Sequence, residues 1–142
     1  MKKEYKVGIL GFGFMGKAHT FGYQTMQLYY DNLPFLMKLG AVATRDEEKG
    51  KALQQEFGFE YYTAHEDRII NDPNIDIIDI CTPNNMHKDA LIKCIKAGKN
   101  VYCEKPMVLS MEEVAEVKAA MEEYHYDKTA QVVFHTRYFP TS

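Results

Sequence analysis

No apolar run in this 142-residue chain approaches the roughly 18 residues that a membrane span requires. The first six residues are polar and lead straight into a strand-like segment, without the apolar stretch and small-residue cleavage site of a secretory signal, so a cytoplasmic protein is expected. Cysteine is scarce. Cys81, Cys94 and Cys103 are an odd number without metal-ligand spacing, and they read as buried thiols of a reducing compartment, with no metal site expected. Basic charge is not in excess either. With 17 Lys and Arg against 20 Asp and Glu, a net charge of −3 gives no footprint for nucleic acid or an anionic membrane. There is no internal repeat, low-complexity tract or linker, so the expectation is one domain over residues 1–142.

What is present is an alternation of short apolar runs with longer segments of helical period, the pattern of strand-helix units on a parallel sheet. Residues 7–10 read as a first strand and 15–29 as a helix, broken by Asp31, Asn32, Leu33 and Pro34. Residues 41–43 are a short second strand, and Asp46 caps a helix that carries Leu53 and Phe57 and stops at Gly58. A weak third strand (59–62), a short helical piece (65–70) and the strongest strand (75–81) follow. The next helix starts at Asn84 or Asn85, points Leu91, Cys94 and Ile95 inward and ends at Gly98, before a fifth strand at 101–103. Ser110 and Glu113 form a capping box ahead of a helix whose Val114, Val117, Met121 and Tyr124 share a face, and residues 132–134 make a sixth strand. About six strands with helices on both faces predict an α/β, doubly wound Rossmann-type sheet in the order 3-2-1-4-5-6.

Directly after the first strand stand Gly11, Phe12, Gly13, Phe14, Met15 and Gly16, a complete G-x-G-x-x-G at the turn into a helix. Gly11 permits the tight turn, Gly13 lets the backbone approach a diphosphate, and Gly16 lets the helix lie close to the strand. The helix start then offers unpaired N–H groups and partial positive charge to the anion, so NAD or NADP is the expected cofactor. The end of the second strand reads Ala43, Thr44, Arg45, Asp46. Thr44 and Arg45 suit a 2′-phosphate and favour NADP; an inward Asp46 would favour NAD.

Further along come Cys81, Thr82, Pro83, Asn84 and Asn85 with His87 following, then Ala97, Gly98, Lys99 and Val101, then Glu104, Lys105 and Pro106. On these motifs the whole chain resembles the glucose-fructose oxidoreductase, inositol dehydrogenase and MocA family of NAD(P)-dependent enzymes. The resemblance implies hydride transfer on a sugar, polyol or cyclitol, with a C-terminal substrate domain that lies outside this sequence. It implies that Thr82, Pro83, Asn84 and His87 line the cofactor and that Glu104 lies by the nicotinamide ribose. Lys105 is then the catalytic and substrate contact, beside a Lys105–Pro106 bond expected to be cis. Its ammonium can hydrogen-bond a substrate hydroxyl and assist proton transfer.

Near the sixth strand, His135 stands where the family has asparagine, whereas Arg137 matches as a substrate contact. The family's main acid-base histidine motif is not among these 142 residues, so this chain alone is expected to be catalytically incomplete. The contrasting reading is a stand-alone NAD(P)-binding module or sensor. A thiol enzyme using Cys81 or Cys103 is disfavoured, because neither has a base near it in sequence. Without the second half, the face near Tyr124, Tyr126, Tyr138 and Phe139 is expected to be left exposed, so a homo-oligomer or a conformational compromise at the C-terminus is expected.

Overall fold

A computed structural model, describing residues 1–140, shows one all-parallel sheet in the order β3-β2-β1-β4-β5-β6. The strands are β1 (Lys3–Leu10), β2 (Phe35–Ala43), β3 (Tyr61–Thr63), β4 (Ile77–Ile80), β5 (Asn100–Cys103) and β6 (Ala130–Val132). They are joined by α1 (Phe14–Tyr29), α2 (Glu47–Phe57), α3 (Glu66–Ile70), α4 (His87–Lys96) and α5 (Met111–Glu123). The chain steps outward from β1 to β3 and then returns to lay β4 on the other side of β1. The C-terminal ends of β1 and β4 therefore flank the crevice where such sheets bind ligands. Among the described residues no helix is long and apolar enough to cross a membrane.

The period of two along each strand sorts the side chains between the faces. Val7, Ile9 and Val42 pack with Phe12, Leu53 and Phe59 on the side of α1 and α2. Leu10, Ala43, Ile78, Ile80, Val101 and Cys103 pack with Ile69 of α3 and Leu91 and Cys94 of α4 on the other. On the α1 side β4 carries a charged residue, Asp79, which is fully buried.

Several boundaries differ from expectation. β2 begins at Phe35 rather than 41, because its first half pairs with Lys3 to Lys6 of β1. That half is only partly buried, so it lacks the continuous apolar signal of a central strand. The register jumps between Val7 and Gly8, leaving Gly40 as the extra residue of a bulge. β3 falls two residues later than expected at its start, since Phe59 serves the core instead, edge-on to Phe12 at 6.2 Å. β6 lies at 130–132 rather than 132–134, although the Val133 N–H still donates to the Cys103 carbonyl. On α5 the buried face is Val117 and Ala120, while Met121 and Tyr124 are exposed.

The capping signals hold. Asp46 accepts from the Lys49 N–H at 3.0 Å, Gly58 ends α2 with φ +79°, and Ser110 Oγ accepts from the Glu113 N–H at 3.2 Å. The Glu113 carboxylate closes back onto the Leu109 N–H, one residue earlier than the usual box. The Lys105–Pro106 bond is cis.

Candidate cofactor groove and the sheet edge beside it

The three glycines of the first turn have three different surroundings. Gly11 has φ +83°, and a Cβ there would stand 3.0 Å from the Cys81 carbonyl oxygen. A Cβ on Gly16 would stand 2.6 Å from the Gly11 oxygen, so glycine is what lets α1 lie against the strand end. Around Gly13 a Cβ would meet nothing within 4 Å. That space opens onto a groove of about 740 Å³, and α1 starts beside it with no side-chain cap and no acidic residue in its first turn. Phe12 turns into the core, whereas Phe14 is exposed and Met15 half-buried at the groove. Opposite them Cys81, Thr82, Pro83 and Met86 form the other wall. The buried Thr82 hydroxyl has no hydrogen-bond partner among the described residues. An open cradle, an uncapped helix start and an orphaned hydroxyl fit the diphosphate and ribose of a dinucleotide.

At the end of β2, Asp46 caps α2 by accepting from the Lys49 N–H through one oxygen, and it also lines the groove. Thr44 is held by its N–H on the Thr63 carbonyl at 3.0 Å, and Arg45 is exposed at the groove. Lys49 also reaches the groove and donates to the Phe12 carbonyl at 2.7 Å. This end of the groove thus carries a hydroxyl-bearing residue, two cations and the Asp46 carboxylate.

Beyond β5, Glu104 is buried and Lys105 exposed at the sheet edge. One Glu104 oxygen accepts from the Lys105 N–H at 3.1 Å, and the other lies 3.0 Å from His19 Nε2. His19 Nδ1 lies 2.8 Å from Asp79 Oδ2, which also accepts from the Tyr23 hydroxyl at 2.8 Å. The Cys81 thiol donates to the other Asp79 oxygen at 3.3 Å. Burial opposes charge on His19, but the Asp79 and Glu104 carboxylates outweigh it and hold the imidazole above its usual value. Burial, reinforced by Asp79, pushes the Cys81 thiol far up, and Cys103 is pushed up to about 12, so neither is a ready nucleophile.

His87 requires correction as a direct cofactor contact. It is fully buried, with Nδ1 2.8 Å from the Pro106 carbonyl and Nε2 2.8 Å from the Thr82 carbonyl. Its ring therefore ties the Thr82 loop to the Lys105–Pro106 turn instead of facing the groove. Asn84 opens a single exposed 3-10 turn and does not line the groove. Arg137 lies on the exposed turn His135–Tyr138 after β6, also outside the groove. Tyr126, expected on an exposed aromatic face, instead donates to the Lys99 carbonyl at 2.7 Å, while Tyr138 and Phe139 are exposed.

The sequence reading missed His19, Tyr23, Asp79 and Lys49. Two signals were available: a charged residue inside the strongest apolar strand, and a histidine three positions after Gly16 on the same helix.

The family model for an oxidoreductase family with an NAD-binding Rossmann fold matches residues 5–132. The chain belongs to this family, that of glucose-fructose oxidoreductase, inositol dehydrogenase and MocA. It is 34% identical to levoglucosan dehydrogenase of Pseudarthrobacter phenanthrenivorans over 144 residues, covering 96% of this chain and 37% of that protein. It is 31% identical to myo-inositol 2-dehydrogenase of Thermotoga maritima over 133 residues, covering 92% and 35%. A levoglucosan dehydrogenase structure in complex with NADH and levoglucosan superposes with a TM-score of 0.80 at 34% identity, over 90% of this chain and 35% of that one. The chain thus spans little more than a third of the length of these relatives.

Proposed function

We propose that this chain is the cofactor-binding part of an NAD(P)-dependent oxidoreductase that moves a hydride to or from a carbinol carbon of a sugar, polyol or cyclitol. The observation that carries the reading is the empty space over Gly13 beside the uncapped start of α1. A diphosphate seated there receives backbone N–H groups and the positive end of the helix. The bound nicotinamide supplies the hydride acceptor in one direction and the donor in the other. The protein's part is placement. Thr82 offers its unpaired hydroxyl to the cofactor, Pro83 shapes the wall beside it, and His87 holds that loop from behind. Glu104 and Lys105 stand at the C-terminal edge of the sheet, where the Lys105 ammonium would donate a hydrogen bond to the substrate oxygen and so assist its proton transfer. Arg137, past β6 at the same edge, is the second proposed substrate contact.

The cofactor proposed is NADP. Arg45 and Lys49 put two cations beside Thr44, against the one carboxylate of Asp46, which caps α2 through one oxygen and also lines the groove. Fluorescence titration with NADPH and NADH should show NADPH binding about tenfold tighter or more, a difference of roughly 1.4 kcal/mol. Thr44→Asp should reverse the order. Tighter NADH binding by the unaltered chain would overturn the NADP choice; saturation by neither nucleotide would overturn the cofactor reading itself. We also propose that the chain self-associates, through Phe21 and Leu28 on the outer side of α1, which are 67% and 85% exposed.

A further inference from the structure

The turn that carries Lys105 is gripped from both faces of the sheet by histidines, His87 fully buried and His19 partly buried. On the α4 side His87 holds the Pro106 carbonyl. On the α1 side the contact runs through Glu104: one carboxylate oxygen takes the Lys105 N–H and the other faces His19 Nε2. Every oxygen in this network has a partner. Asp79 receives the Tyr23 hydroxyl and His19 Nδ1 on one oxygen and the Cys81 thiol on the other. Among the described residues His19 is thus the only side chain that hydrogen-bonds both carboxylates, and it stands on the helix whose first turn faces the cofactor groove.

We propose that His19 is a positioning residue: by hydrogen-bonding Asp79 through one ring nitrogen and Glu104 through the other, it fixes the Glu104 carboxylate and thereby the placement of Lys105. The chemical function of Lys105 rests on the reading above; the linkage from His19 to Lys105 does not.

Carboxylates only accept, so both ring nitrogens must carry protons to satisfy the geometry. The groups facing the ring are Asp79 and Cys81 at the end of β4, Tyr102 of β5 at 5.5 Å between ring centroids, Glu104 beyond β5, and Tyr23 on α1 itself. Burial pushes Tyr23, Cys81 and Tyr102 upward, and Tyr23 and Cys81 act as donors to Asp79. Loss of a proton from His19 would leave one N–H between two acceptors. The Glu104 side chain would then be free to turn, and the Lys105 N–H would lose its fixed partner.

The test is NMR of the chain, following the histidine ring nitrogens and the Lys105 amide as pH rises from about 6 to about 10. At pH 7 the His19 ring should carry both protons, and the Lys105 amide should shift with the same midpoint as the ring. Glu104→Gln should lower that midpoint and abolish the Lys105 response. If the ring keeps both protons throughout, His19→Gln supplies the comparison, and a displaced Lys105 amide is expected. A neutral His19 at pH 7, or a Lys105 amide indifferent to His19 in these comparisons, would overturn the proposal even if NADPH binds. Failure of NADPH to bind, with the linkage intact, would count against the cofactor reading alone.

Discussion

At the scale of single residues, the glycine-rich turn separates stability from binding. Gly13→Ala adds a methyl where nothing stands within 4 Å, so its melting temperature should stay within a degree or two while NADPH affinity falls about tenfold or more. Gly16→Ala instead drives a methyl to 2.6 Å from a backbone oxygen that cannot swing aside, and should cost about 1–3 kcal/mol in chemical denaturation. Equal effects of the two substitutions on stability would contradict this division of labour. His19 adds a pH dependence of known sign. Its folded-state value is raised, so the stabilisation is fully present below the ordinary imidazole value and is lost as pH rises through the raised one. The melting temperature should therefore fall as pH climbs above the ordinary imidazole range, and His19→Gln should flatten that slope. A slope unchanged in the variant would assign it to other groups.

Among the elements, α2 shows how a cap bears on the site. Asp46→Ala removes the acceptor for the Lys49 N–H and should cost about 1 kcal/mol, read as a midpoint shift in denaturant. A loss within error would mean that the cap contributes nothing. The elements legible in the sequence were those whose signal is local. Asp46 and Gly58 bracket α2, Ser110 opens α5, and the glycines mark the turn after β1, because each feature depends on a few neighbouring backbone groups. The first half of β2 was not legible, since only its pairing with Lys3 to Lys6 makes it a strand. The groove's lining at Gly11 to Met15, Thr44, Arg45, Thr82 and Pro83 could be read from strand ends and the doubly wound order. The network of partly buried His19 with buried Asp79 and Glu104 could not. Its members come from α1, β4 and the end of β5, His19 being separated from its two partners by 60 and 85 positions in the sequence. No spacing rule in one sequence connects them, and only the sheet order brings them into contact.

At the scale of the whole molecule, the chain presents one elaborated edge and one apolar flank. The edge collects the glycine-rich turn, the Thr82 loop and the Lys105 turn at the C-terminal ends of the central strands. The flank is the outer side of α1, where Phe21 and Leu28 stand seven residues, two helical turns, apart and are exposed. Light scattering should show mass rising with concentration, and Phe21→Asp together with Leu28→Lys should suppress the rise. Mass independent of concentration in the unaltered chain would contradict self-association. The central claim concerns the N-terminal end of α1, where backbone amides at the first crossover receive a dinucleotide diphosphate. The most direct measurement is an amide NMR titration with NADPH. Saturable shifts are expected to be largest at Gly13 to Gly16 and to extend to Arg45 and Thr82. Amides of this turn that stay still at millimolar NADPH, or shifts confined to another surface, would contradict the account.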